Sequence, residues 1–243
     1  MHLPTPGVAE PKLDQLHPEL VQHLPALRAV AQVLTDNDQN IEPLLESMTL
    51  DQKLALKFLE QYTIRPGVYG VPFLHPLYCE LLIAEAELMA KTVGYQPNPD
   101  EDEAYQIPEL YLREVCPELF ASLTALFDVV FGVLCRLLYG TAPTFLMSVQ
   151  FARYEPNGQA AGNWHHDEDS DITAVVSLAP ESFTGGGTDL RTGPTKYNWI
   201  PALPKGHALL FCGRTTLHRG RAVETGVRDL LVFWSTVHDK ARD

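Results

Sequence analysis

The spacing of apolar residues changes once along this chain of 243 residues. From about residue 11 to residue 90 the spacing is helical, with Leu13, Leu16, Leu20, Leu24 and Leu27 three or four apart and prolines interrupting. Residues 41–48, 50–62 and 76–91 read as further helices, the last opened by Pro76, whose missing N–H matters little in a first turn. An acidic, Pro-containing stretch at 96–103 reads as a solvated loop. The widest apolar face follows: Leu119, Leu123, Leu126, Phe127, Val130, Phe131, Leu134 and their neighbours predict a helix over 117–139, ended by Gly140. Such a face packs against a sheet or other helices, so it is assigned no catalytic role.

After Pro143 the period falls to two. Candidate strands are 144–154, 164–167, 172–178, 188–191, 196–201, 207–212, 217–221 and 229–237. Turn signals separate them, among them Pro156-Asn-Gly158, Gly185-Gly-Gly187 and Pro204-Lys-Gly206. Short strands at regular turns predict a closed or double-sheet β-fold rather than parallel βαβ units. The fold class is therefore α+β, with helices first and β-structure after.

The chemistry concentrates between Trp164 and Trp234. On a strand, His165 and Asp167 point one way and His166 and Glu168 the other. A His-x-Asp pair joined by a remote histidine makes the two-histidine, one-carboxylate set of non-haem Fe(II) sites. Such a set leaves coordination positions open for a chelating co-substrate and dioxygen. His218 is the preferred remote ligand. His207 opens an apolar run and reads as the start of a strand. The pair His166 and Glu168 shares the same alternation and stays open as an alternative. His2, His17, His23 and His238 read as solvent residues. Arg228 enters an apolar strand, where a guanidinium is costly unless an anion pairs with it. That anion is either an internal carboxylate or the distal carboxylate of a dicarboxylic co-substrate, and the histidine pattern favours the second.

These residues carry a resemblance. Arg153-Tyr154, His165-His-Asp167, Asp171-Ile-Thr173, Phe183-Thr-Gly-Gly-Gly-Thr188, His218-Arg-Gly220 and Gly226-Val-Arg228 together look like the Fe(II)/2-oxoglutarate-dependent oxygenases, in particular the prolyl and lysyl hydroxylase-like branch. The resemblance covers roughly residues 144–237. It implies a double-stranded β-helix, or jelly roll, buttressed by N-terminal helices, with a helical region at 1–104 packed on an oxygenase domain at 105–243. It implies that His165, Asp167 and His218 bind Fe(II), that Arg228 holds the C5 carboxylate of 2-oxoglutarate, and that Tyr154 and Thr173 line the co-substrate pocket. Ser177 stands where some relatives use a tyrosine on that carboxylate. The implied reaction consumes 2-oxoglutarate and O2, releases succinate and CO2, and hydroxylates an unactivated C–H bond. The expected substrate is an amino-acid side chain, peptidyl lysine or proline or a free amino acid. A carboxylate at Asp167 favours hydroxylation over halogenation. Two other readings compete: a cupin-like metal dioxygenase without 2-oxoglutarate, and a non-catalytic β-barrel binding module.

Bulk properties narrow the partners. A net charge of −13 argues against nucleic acid, because phosphate binding needs clustered Lys and Arg. Cys79, Cys116, Cys135 and Cys212 form no CxxC pair, so a zinc knuckle or dithiol motif is not expected. The first residues carry no secretory pattern, and no uninterrupted apolar run approaches spanning length, so a reducing cytoplasm without membrane attachment is expected.

Overall fold

The computed structural model describes residues 12–36, 46–97 and 106–237. Most of the expected 41–48 helix, the 104/105 boundary, most of the acidic 96–103 stretch, His2 and His238 lie outside these residues. Four longer helices are described: Pro18–Asp36, Leu50–Glu60, Pro76–Val93 and Pro117–Tyr139. Local chemistry explains their starts. Thr49 and Gln52 form a reciprocal capping box, each side chain taking the other's backbone N–H. His75 Nδ1 accepts from Leu77 N at 3.1 Å ahead of Pro76. Gly140 ends the longest helix in the left-handed conformation, as the sequence predicts. The first helix runs through Pro25 rather than breaking there. An internal proline costs about 3 kcal/mol, and the burial of Leu20, Leu24, Leu27 and Val30 offsets it.

Twelve strands are described. β1 (Thr63–Arg65), β2 (Val68–Pro72), β3 (Glu109–Tyr111), β4 (Phe145–Tyr154), β5 (Ile172–Ser177), β9 (His207–Phe211) and β12 (Arg228–Thr236) form one sheet in the order β1-β2-β9-β5-β12-β4-β3. β7 (Thr188–Arg191), β8 (Tyr197–Ile200) and β10 (His218–Gly220) form a second in the order β10-β7-β8, and β6 (Phe183–Gly185) pairs with β11 (Val223–Gly226). Every pairing is antiparallel. The large sheet and the two small ones make the expected double-stranded β-helix.

Period-two alternation decides what each face of the large sheet does. Val149, Phe151, Ala174, Val176, Leu231 and Phe233 face the helices and share one core with Leu123, Phe127 and Phe131. Phe127 stacks on Phe131 at 4.7 Å and on Phe233 at 5.6 Å. The other face, with Tyr154, Thr173, Val175, Arg228, Leu230 and Val232, lines a cavity bordered on its far side by β7 and β10.

Two expectations are corrected. Residues 11–90, within the region 1–104 read as helical, contain β1 and β2, and β2 pairs with β9 in the large sheet. Pro66-Gly67 turns the chain there, with Gly67 at φ 76°, and Val68, Tyr69 and Val71 suit a strand better than a helix. Residues 164–167 are not a strand: only His165 makes a bridge, to His218, and a turn with Ser170 N donating to Asp167 O at 3.0 Å ends the extension. The Pro117–Tyr139 helix is long and apolar enough, at mean hydropathy 1.9, to cross a membrane by length and composition alone. Its Leu119, Leu123, Phe127, Phe131 and Leu134 are instead buried in the core.

Candidate metal centre

His165, Asp167 and His218 converge, with one ligand atom from each within 4.8 Å of the other two. Backbone pairing puts them there. His165 and His218 exchange two N–H···O=C bonds, both 2.9 Å, which sets their rings 4.3 Å apart. Asp167 N donates to Gly213 O at 3.2 Å and carries the carboxylate inward. Its side chain is 2% exposed.

The ring nitrogens are specified by what lies behind them. His165 Nδ1 is 2.8 Å from Asn163 O, and His218 Nδ1 is 2.8 Å from Thr216 O. A carbonyl can only accept, so each Nδ1 carries the proton and each neutral ring presents a bare Nε2. Those two Nε2 atoms lie 3.4 Å and 3.5 Å from Asp167 Oδ1. Three lone pairs directed at one point repel unless a cation stands among them. This is the arrangement by which metal-binding histidines are oriented from behind. Burial opposes ionisation of Asp167, but His218 and His165, when their rings are protonated and donate from Nε2, together with the Thr173 hydroxyl, outweigh it and hold the carboxyl well below its usual range; a metal ion would take the place of those ring protons. The mixed nitrogen and oxygen donor set suits Fe(II), and the donors fit such an ion.

Both alternatives for the ligand set fall away. His166 and Glu168 are exposed. His207 does open β9, but its ring packs against His17 and Tyr62, with Nδ1 3.2 Å from Gly70 O. His17 and His23 are not simple solvent residues either: His17 packs edge-on to His207 at 5.3 Å, and His23 stacks on Phe58 at 4.4 Å.

The cavity beside these ligands has a volume of about 540 Å³. Arg228 lines it and is 4% exposed. Its Nε and Nη1 have no hydrogen-bond partner, and Nη2 reaches only Thr188 Oγ1 at a long 3.5 Å. The guanidinium stands 5.3 Å from the centre of the Tyr154 ring. Burial lowers its pKa, and Tyr154 partly opposes that. A buried cation with two unmet donors is a receptor for an anion, with the planar fork that a carboxylate matches.

Thr173 also borders the cavity, but its hydroxyl has another use from the one expected. Thr173 Oγ1 donates to Asp167 Oδ2 at 2.5 Å and sits 2.9 Å from Ser170 Oγ. Thr173 therefore orients the carboxylate. Sequence reasoning missed three residues here. Thr188 was visible only as the end of the glycine turn. Ser170 carried no signal. A Cβ on Gly213 would lie 2.2 Å from Thr173 Oγ1 and 2.8 Å from Asp167 Oδ2, so the chain can pass there only as glycine.

No protein-family model matches the sequence, and no curated protein matches it. Solved structures do resemble it. One is the non-heme alpha-ketoglutarate-dependent carbocyclase SnoK of nogalamycin biosynthesis, with TM-score 0.55 and 15% identity over 79% of this chain and 85% of that one. A Pseudomonas putida prolyl-4-hydroxylase aligns with TM-score 0.54 and 16% identity over 76% of this chain and 100% of that one. A Trichoplax adhaerens prolyl hydroxylase, in complex with a hypoxia inducible factor peptide fragment, aligns with TM-score 0.54 and 14% identity over 79% and 94% of the two chains. At such identities the likeness is one of architecture: the chain has the double-stranded β-helix fold of the 2-oxoglutarate-dependent Fe(II) oxygenases.

Proposed function

We propose that this protein is an Fe(II)/2-oxoglutarate-dependent dioxygenase that hydroxylates an unactivated C–H bond of an amino-acid side chain, in a peptide or a free amino acid. One observation carries the reading: the unmatched guanidinium of Arg228 lines the same cavity as three metal-ligand atoms that face one another. A metal site alone does not account for Arg228. A dianionic chelator between metal and guanidinium accounts for both. A cupin-like dioxygenase without 2-oxoglutarate leaves the arginine without an anion and is less well supported.

In this reading His165, Asp167 and His218 hold Fe(II). Thr173 fixes the carboxylate, and the Asn163 and Thr216 carbonyls fix the two rings. Arg228 and Thr188 bind the distal carboxylate of 2-oxoglutarate, while Tyr154 covers one side of the guanidinium. Val175, Leu230 and Val232 form an apolar wall that keeps water from the co-substrate. Bound Fe(II) and 2-oxoglutarate supply the oxidising chemistry, with O2 consumed and succinate and CO2 released. Trp164 and the exposed His166 and Asp169 border the cavity, and substrate entry is assigned to that side. Among the structural neighbours, an epimerase was solved in complex with Fe3+, alpha ketoglutarate and nogalamycin RO, at 18% identity. Two others are prolyl hydroxylases, one of them holding a peptide fragment. These support the cofactor pair and the side-chain substrate class. We also place the protein in a reducing cytoplasm, which the four free cysteines support.

The test is 2-oxoglutarate binding without oxygen, with Mn(II) replacing Fe(II), followed by succinate release in air against peptides, amino acids and cell extract. Binding should depend on the metal and disappear in His218→Ala. Full activity in that variant would sink the assignment.

A further inference from the structure

The three-stranded sheet beside the cavity has an outer face that the reaction does not use. His165 bridges β10, which pairs with β7, which pairs with β8. His218 and Leu190 are a register pair and turn inward. The alternate residues turn outward: Arg219, Asp189 and Trp199 in one row, Arg191 and Tyr197 in the next.

This face gathers basic and aromatic side chains in an acidic chain. The chain has 31 acidic residues against 18 basic ones. Elsewhere Arg153, Lys205 and Arg214 each meet a carboxylate. Here Arg219 and Arg221 share one buried carboxylate, Asp189, at 3.0 Å and 4.0 Å. Asp189 Oδ1 has no hydrogen bond. Among the described residues no carboxylate lies within ion-pair range of Arg191, and Lys196 is exposed on the adjoining turn. The guanidiniums of Arg191 and Arg219 both lie over Trp164, 4.8 Å and 4.6 Å from its ring centre, and Arg221 lies 4.9 Å from that of Trp199. Trp199 and Tyr197 are 51% and 46% exposed. Two large aromatic rings held in solvent between arginines form a recognition surface, because such rings gain most by burial.

We infer that this outer face docks an acidic segment of a peptide substrate, leading it past Trp164 to the cavity mouth. Trp164 connects the two, since it lies under the arginines and also lines the cavity next to His165. β8 is an edge strand, so its backbone can pair with an added strand while the arginine forks take the carboxylates. Stacking on Trp and Tyr would also suit the bases of a single-stranded nucleic acid. The peptide fits better, because a net charge of −13 repels a long polyanion. A short acidic segment feels mainly the charges within a Debye length of about 8 Å. The inference takes its purpose from the oxygenase reading, but docking itself is measurable without turnover.

The experiment is fluorescence anisotropy of the full chain with a labelled nonapeptide carrying four glutamates. A lysine-substituted peptide of the same length and a single-stranded oligonucleotide serve as comparison. The acidic peptide should bind at least tenfold tighter than both, and more weakly at high salt. The double variant R191Q/R219Q should weaken it at least tenfold while keeping Mn(II)-dependent 2-oxoglutarate binding, and Trp199→Ala should weaken it too. Equal binding of acidic and basic peptides, tighter binding of the oligonucleotide, or an unaffected double variant would overturn the inference. Loss of 2-oxoglutarate binding by the wild type would instead count against the oxygenase reading.

Discussion

Replacing Arg228 by Met should raise the stability of the protein without co-substrate and weaken its response to 2-oxoglutarate. Arg228 is 4% exposed, and two of its three guanidinium nitrogens have no partner. An unmet buried donor costs about 1–3 kcal/mol. Methionine has nearly the same reach, no charge and a flexible thioether that fills the slot. Allowing for some lost packing, we expect a net gain of about 2 kcal/mol, or roughly 4–8 °C in Tm for a chain of this size. The binding effect has the opposite sign. Removing a buried partner of a carboxylate costs about 2–5 kcal/mol, so affinity for 2-oxoglutarate should fall by about 30-fold to several thousandfold. Thermal unfolding with Mn(II), in the presence and absence of 2-oxoglutarate, reads both effects together. Ligand at a hundred times the wild-type Kd stabilises the wild type by about 2.7 kcal/mol and should stabilise the variant by less than about 1 kcal/mol. The lead of the variant in Tm then closes or reverses on adding 2-oxoglutarate. A variant less stable than wild type without ligand, or equally stabilised by 2-oxoglutarate, would show that Arg228 is a structural residue and refute the reasoning.

Three further outcomes are expected. Thr173→Val removes the hydroxyl that donates to Asp167 at 2.5 Å and should weaken metal binding about 10–100-fold, read by anaerobic Mn(II) titration; an unchanged affinity would mean that Thr173 does not orient the ligand. Gly213→Ala puts a methyl group 2.8 Å from Asp167 Oδ2, and should lower metal affinity by a comparable factor while the secondary structure seen by circular dichroism stays intact. His17 and His207 both have pKa values lowered from 6.5, mainly by burial, so the unfolded chain binds more protons than the folded one once the pH falls below about 6.5. Stability should therefore be full above that pH and fall as it drops toward the folded pKa values, and His17→Leu should make the loss of Tm on acidification shallower; an identical slope in the variant would remove His17 from the account.

The sequence made some of this legible and hid the rest for physical reasons. The Pro117–Tyr139 helix was readable to the residue, because its wide apolar stripe, opening proline and closing glycine all point the same way. The strands of the large sheet after Pro143 were readable because one face is core and the other lines a cavity, which keeps the period at two. β1 and β2 were not, since two short runs joined by Pro66-Gly67 sit among helical spacings and become strands only by pairing with distant β9. The metal ligands were found for a reason only partly right. Residues 164–167 lack a ladder, yet the single bridge from His165 to His218 preserves the alternation that turns His165 and Asp167 to one side. The roles of Thr173, Ser170, Thr188 and Gly213 depend on contacts across the fold, and no local pattern announces them.

The cavity's charges give a reason for the pairing of its two halves. Taken alone, the protein brings one buried carboxylate, Asp167, and one buried guanidinium, Arg228, into the same cavity without joining them. Neither is fully matched by protein: Asp167 faces two bare imidazole nitrogens, and Arg228 has unmet donors. In the proposed complex a divalent cation completes the first and a dianion the second, and their charges cancel. Each added by itself would leave a double charge in a site of low dielectric, where solvation cannot screen it. The two ligands should therefore favour each other's binding, and by linkage each must raise the affinity of the other by the same factor. A site built only to hold a metal would have no use for a guanidinium in the same cavity, and a structural arginine would have been given a carboxylate, as Arg153 was given Asp229.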